Sequence, residues 1–198
     1  MRWDRFFEDL EGQLDSEWEA QRAALDSEAE RLRMSRLALR ERLQALRAEP
    51  APQLSFELSD GAVLGGRLTA VGADWAGLAA SGGHTVVIAL RAVTGIGMPQ
   101  ADLLRSARAE QPTPLRLAER MTLGFVLRDL ARRRIPVTLH LQSGRTLTGT
   151  IDRALADHLD LALHDAGEPR RAESIAGVRM IPSAAVAWVR LEAFDAAL

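Results

Sequence analysis

Leu54-Ser55-Phe56-Glu57-Leu58-Ser59-Asp60-Gly61-Ala62-Val63-Leu64-Gly65-Gly66-Arg67-Leu68 and Val137-Thr138-Leu139-His140-Leu141-Gln142-Ser143-Gly144-Arg145-Thr146-Leu147-Thr148-Gly149-Thr150-Ile151 carry one pattern twice, 83 residues apart (144 − 61). Apolar and polar residues alternate in both stretches, the period-two signature of a half-buried strand. Asp60-Gly61 and Ser143-Gly144 interrupt the alternation where a hairpin has to turn. Gly66 and Gly149 occupy apolar-face positions of the second strand. A glycine there costs stability unless the strand bends sharply or another backbone comes close. A strand that curls to serve two sides of a small barrel meets that condition. The match runs on through Asp74 and Asp157, then Leu78 and Leu161.

Working outward, each copy continues as a meander. Trp75 to Ala80, Val86 to Leu90 and Val93 to Ile96 supply three further strands in the first copy. Leu159 to Leu163, Val178 to Ile181 and Val186 to Leu191 supply them in the second. Ile88-Ala89-Leu90-Arg91-Ala92-Val93 corresponds to Ile181-Pro182-Ser183-Ala184-Ala185-Val186. The expected fold class is α+β. A long N-terminal helix (residues 1–49) precedes two five-stranded antiparallel barrels (53–97 and 135–192), joined by a connector with a helix (98–134). The two barrels are expected as separate curled units.

Five short strands, a glycine after the first, a bending glycine in the second and an Ile-Pro-x-x-Ala-x-Val step before the last resemble the Sm-like barrel, the fold of the Sm proteins and of the bacterial RNA chaperone Hfq. Other small SH3-like barrels share much of the pattern. The resemblance covers residues 53–97 and 135–192 and implies a helix before each first strand. It also implies open strand edges that pair between neighbouring barrels. The family's base-reading positions fall on Gly72 and Ala76 in the first copy and on Leu155 and Leu159 in the second. None of these has the Asp or Asn that would hydrogen-bond a base edge. The basic pair between the last two strands is replaced by Leu90-Arg91-Ala92 and Ser183-Ala184-Ala185, so only Arg91 is left as a phosphate contact. No Tyr or Phe is placed to stack on a base. The resemblance implies the barrel and leaves the RNA pocket without its residues.

Upstream, residues 1–48 read as one helix, with no proline and only Gly12 among good helix formers. Trp18, Leu25, Leu32, Leu39 and Leu46 recur every seven residues and form the expected interaction seam. Leu14, Ala29 and Leu43 add part of a second seam, and Phe6, Phe7 and Leu10 an apolar knob. Residues 1–30 hold ten acids and three arginines (net −7); residues 31–48 hold six arginines and one acid (net +5). That gradient suits the helix dipole and would also suit antiparallel pairing of two copies. A helix folded onto its own domain is the alternative. Pro50 and Pro52 end the segment.

Pro99 to Pro114 is polar and loop-like, and Leu115 to Arg134 is rich in helix formers. Residues 105–134 carry eight arginines and three acids, a net of +5. Arg128 and the run Arg132-Arg133-Arg134 are therefore candidates, with Arg91, for contact with nucleic acid. Capping of a helix C-terminus by cations explains the same run. The chain has no Lys, Asn or Tyr, so every surface cation is Arg, which weakens any arginine cluster as a phosphate signal. The absent residues are those of AT-rich codons, so a high-GC bacterial genome is expected.

The remaining composition excludes rather than assigns. There is no Cys, which removes disulfides, thiolate nucleophiles and Cys-ligated metals. A formal charge of −2 argues against indiscriminate coating of nucleic acid. No window reaches the length a membrane span needs, no apolar signal core opens the chain, and a cytoplasmic location is expected. His158 and His164 lie near Asp157, Asp160 and Asp165, but alternation puts His158, Asp160 and His164 on the outward face, so no metal site is expected. Phosphate-loop and nucleophile-elbow motifs are absent. The expectation is a non-enzymatic adaptor or scaffold with no catalytic residues, no cofactor and no small-molecule substrate. It would associate with itself or with a protein partner through the helical arm and barrel edges. The alternative is a nucleic-acid-binding regulator using the arginine-rich connector and barrel rims.

Overall fold

A computed structural model describes residues 2–47, 51–80, 82–108, 120–167 and 171–191, with side chains from Glu17 onward apart from Ala20. The chain is α+β and falls into two units, residues 1–39 and 40–198. The first unit is helix α1 (Arg2–Arg36). Its described side chains are almost all solvent-facing. Phe6, Phe7, Leu10 and Leu14 lie outside the residues whose side chains are described.

The second unit opens with helix α2 (Leu39–Leu46). The expected single helix to residue 48 is therefore corrected: it breaks at Leu37-Ala38. No breaker residue stands there. What distinguishes the two pieces is burial, because Leu43, Ala45 and Leu46 enter the core of the second unit. Ten antiparallel strands follow: β1 (Gln53–Leu58), β2 (Val63–Val71), β3 (Trp75–Ala80), β4 (Thr85–Ala89), β5 (Val93–Gly97), β6 (Pro136–Leu141), β7 (Thr146–Ala154), β8 (His158–Leu163), β9 (Gly177–Pro182) and β10 (Val186–Leu191). Between β5 and β6 lie helix α3 (Gln100–Arg105), where a polar loop was expected, and helix α4 (Leu123–Arg133). The helix expected from Leu115 is described only from its later part, since residues 109–119 lie outside the described residues.

All ten strands belong to one sheet in the order β5-β1-β2-β3-β4-β10-β6-β7-β8-β9. This corrects the expectation of two five-stranded barrels as separate units: the ten strands merge into one sheet. Among the described residues β4 does not pair with β5, nor β9 with β10; β4 pairs with β10 instead. The repeat itself persists inside the merged sheet. Each half lists its strands in the same order, last-first-second-third-fourth. Both second strands slip register at equivalent places, Leu68/Ala70 and Ile151/Arg153. A Cβ on Gly66 would press into the Ala79 carbonyl, and one on Gly149 into the equivalent Ala162 carbonyl. The two glycines thus permit the same close backbone approach. Gly61 and Gly144 both hold left-handed φ, 84° and 80°, as their hairpins require.

The core is continuous across both halves. Phe56, Leu78 and Ile88 are buried in the first half, Leu139, Ile151 and Leu161 in the second, and they belong to one cluster. Helix α4 packs on β7 through Val126, Leu127 and Leu130. Its start is tied to the first half: Leu123 N donates to Asp74 Oδ1 (2.6 Å), and Trp75 Nε1 and Ala73 N both donate to Met121 O. Thr122 caps it by accepting from Phe125 N. No helix among the described residues is long and apolar enough to cross a membrane.

Candidate functional site

The place where the two halves join is the most elaborately built surface of the sheet. Trp188, Val189, Arg190 and Leu191 of β10 lie opposite Ile88, Val87, Val86 and Thr85 of β4. The turn after β4 adds a side-chain clasp. Arg91 donates from Nε to Ala184 O (3.1 Å) and from one terminal nitrogen to Ser183 O and Val186 O. All three acceptors sit in or just after the matching turn of the second half, and Gln142 Nε2 donates to Ala184 O from the other side (2.8 Å). Arg91 was expected as a phosphate contact. In the structure its guanidinium spreads over three carbonyls of the second half and joins the two halves.

A second clasp crosses the junction at Trp188. Its indole Nε1 donates to Asp60 Oδ2 (2.9 Å), while Asp60 Oδ1 accepts from Ala62 N in the β1–β2 hairpin. The indole face stacks on His140, with ring centroids 3.5 Å apart and planes 8° from parallel. His140 Nδ1 meets Thr146 Oγ1 at 3.2 Å, and its Nε2 is buried without a hydrogen-bond partner among the described residues. Burial, joined by the nearby Arg190 charge and opposed by Asp60, holds His140 below the ordinary imidazole range, which favours the neutral ring.

The other expected contacts are placed as follows. Arg132 and Arg133 both reach the Asp129 carboxylate, at 2.5 and 2.8 Å. Their hydrogen bonds, that from Arg132 the stronger, outweigh partial burial and hold Asp129 below the usual carboxylate range. Arg134 ends α4 in the left-handed conformation (φ 52°) and lies 3.8 Å from Asp152. Arg128 is exposed. The structure thus places the basic run on its own helix acid and at the helix terminus. Of the seam, Trp18, Leu25, Leu32 and Leu39 are 46–63% exposed, whereas Leu46 is fully buried. Leu46 is therefore removed from the seam, because it is buried in the core of the second unit, whereas Leu39 at the start of the same helix is exposed.

His164, expected to face outward, is buried: Nε2 meets Thr150 Oγ1 (2.8 Å) and Nδ1 meets Asp165 O (3.0 Å). His158 is bound to Asp157 at 2.7 Å. No three His, Cys, Asp or Glu side chains among the described residues could share a metal ion. A cavity of about 330 Å³ separates α4 from the outer face of β4 and is lined by Thr69, Val87, Phe125, Val126, Leu130 and Leu191. Its walls are mostly apolar, with Arg47, Thr69, Thr85 and Asp129 as the polar side chains of the lining.

Sequence reasoning missed the two ends of the sheet. Among the described residues strand β5 pairs only with β1, and β9 only with β8. On β9, Val178 is 55% and Met180 71% exposed. The signal was available: Val178 and Met180 are two apolar residues on the strand that corresponds to β4. A comparison of the chain with protein-family models, with curated proteins and with solved structures found no match.

Proposed function

We propose that this chain is a non-enzymatic scaffold with two Sm-like units spliced edge to edge, which associates with other copies or a protein partner through its helical arm and sheet edges. The single observation that carries the reading is the junction itself. An open edge of one half is satisfied by an edge of the other, so the unit is built to be joined along its strands. Among the described residues β5 and β9 end the sheet as edge strands, and such edges are templates for further pairing. The exposed leucines and Trp18 of α1 offer a second apolar surface, acid-rich at its start and arginine-rich at its end. The repeated strand order, paired bulges and paired bending glycines support the Sm-like description of each half.

Light scattering across a concentration series tests the reading. The expected result is a mass above 21.6 kDa that rises with concentration, or a co-purifying protein. A strict monomer that retains no protein overturns it. So does co-purified RNA whose binding weakens steeply with salt, the behaviour of a phosphate-reading surface.

A further inference from the structure

We infer that helix α1 of one copy pairs with α1 of a second copy, antiparallel about a two-fold axis at Leu25. The inference rests on the scaffold reading above and names both its partner and the register. Its ground is the exposure of the arm. Every described side chain from Glu17 to Leu32 faces solvent. Trp18 is 62%, Leu25 63% and Leu32 51% exposed. Seven residues advance a helix by almost two full turns, so these three share one stripe. Helices in water draw most of their stability from burying such a stripe. The ion pair of Arg33 with Glu30 (2.6 Å) ties the helix along its own surface and leaves the stripe bare.

The stripe complements itself when one copy is reversed. Trp18 and Leu32 stand seven residues either side of Leu25. A two-fold axis there sets Trp18 of each copy on Leu32 of the other, and Leu25 on its own counterpart. A shift of one heptad either way loses a layer, placing Leu32 on Glu11 or Trp18 on Leu39, which belongs to α2. The positions between the layers agree with the same axis. Gln21 falls beside Glu28 of the other copy, an amide against a carboxylate. Arg22 falls beside Ala29, whose small side chain lets the guanidinium pass on to Asp26. Glu17 and Arg31 each precede a stripe residue and so stand on one flank. Reversal brings them within about 3 Å of the same level along the axis, at 1.5 Å per residue. A parallel pair would instead set acid-rich starts together and arginine-rich ends together, because residues 1–30 carry a net −7 and residues 31–36 hold three arginines and no acid. Charges of this kind fix the orientation of a pair more than its affinity. A two-fold contact of one surface with itself closes at two copies.

The chain has no cysteine, so introduced ones report alone. Trp18→Cys and Leu32→Cys are made separately in the full chain, purified, mixed and oxidised gently. The two variants differ in mass, so mass spectrometry separates mixed from like disulfides. The expected result is the mixed disulfide as main product, with little cross-linking of either variant alone. Like disulfides in preference to mixed ones mean a parallel pair and overturn the inference. A charge test leaves the stripe untouched. Glu17→Arg sets like charges against Arg31 of the other copy at two symmetric places, and should weaken the dimer roughly tenfold at low salt. Glu17→Arg with Arg31→Glu should restore it. The two positions lie about 21 Å apart along one helix, so the recovery is intermolecular. Multimers that ignore both charge variants and yield no mixed disulfide overturn the arm pairing, while the scaffold reading stands on its sheet edges. A strict monomer overturns both.

Discussion

At Gly149 the Cβ of any other residue would enter the Ala162 carbonyl, and at Gly66 the Ala79 carbonyl, with strand backbone as the obstacle in each case. Backbone of a central strand cannot swing away as a side-chain tip can. Gly66→Ala and Gly149→Ala are each expected to cost about 1–3 kcal/mol or more, the range for overpacking, measured by urea unfolding of residues 40–198. Gly61→Ala has open space around it but a left-handed φ, so its cost is expected near 1 kcal/mol. These glycines were legible in the sequence because only one residue type tolerates either condition. His140 was not, since its character comes from Trp188, 48 positions away. Because burial lowers its folded pKa, the unfolded chain binds the extra proton first. Its contribution is therefore fully present above the unfolded value, about 6.5, and is lost as pH falls toward the folded value. Thermal midpoints should drop across that window, and His140→Phe should flatten the drop. A midpoint independent of His140 below pH 6.5 would show that the ring is not held neutral.

Among the elements, α4 shows how a locally weak choice is kept. Its C-cap Arg134 sits at φ 52°, where glycine is the favoured residue. Arg134→Gly should raise stability by about 0.5–1 kcal/mol, and a loss instead would mean that the 3.8 Å contact with Asp152 outweighs backbone strain. Helix α1 makes the opposite case. Leu25 and Leu32 of its expected interaction seam are exposed, but periodicity runs through Leu39 and Leu46 without a mark at the break. A seven-residue repeat cannot tell a leucine that faces solvent from one that enters a sheet core. Leu25→Glu with Leu32→Glu should reduce self-association through the arm while leaving the unfolding midpoint of the sheet unchanged. A lowered midpoint would show that these leucines pack on the protein's own fold. The strands themselves were legible to within a residue or two because alternation, hairpin glycines and bulges all act locally.

At the level of the whole molecule, local signals stop at the question of which edges meet. The repeat reads as two curled units, and the spliced sheet went unread because the pairing of β4 with β10 joins residues about 100 positions apart and leaves no periodic trace. Arg91 shows the same limit: an arginine after a strand looks like a phosphate ligand until the carbonyls of Ser183, Ala184 and Val186 are seen around it. The splice has a thermodynamic consequence. Strand β10 lies between β4 and β6, α4 is anchored in one half and packed on the other, and the core cluster passes through both. Neither half can unfold without exposing the other's buried edge, so residues 40–198 should melt in one transition, with calorimetric and van't Hoff enthalpies in agreement. Arg91→Ala takes one donor away from each of three carbonyls, two of which keep another (Gln142 on Ala184 O, Val186 N on Ser183 O), and at about 1–3 kcal/mol for a charged hydrogen-bonding group it should lower that single midpoint. If the clasp were merely decorative, Arg91→Ala would leave the midpoint where it was. If the halves were independent barrels, two transitions would separate as soon as Arg91 was removed, with the second half keeping its own midpoint.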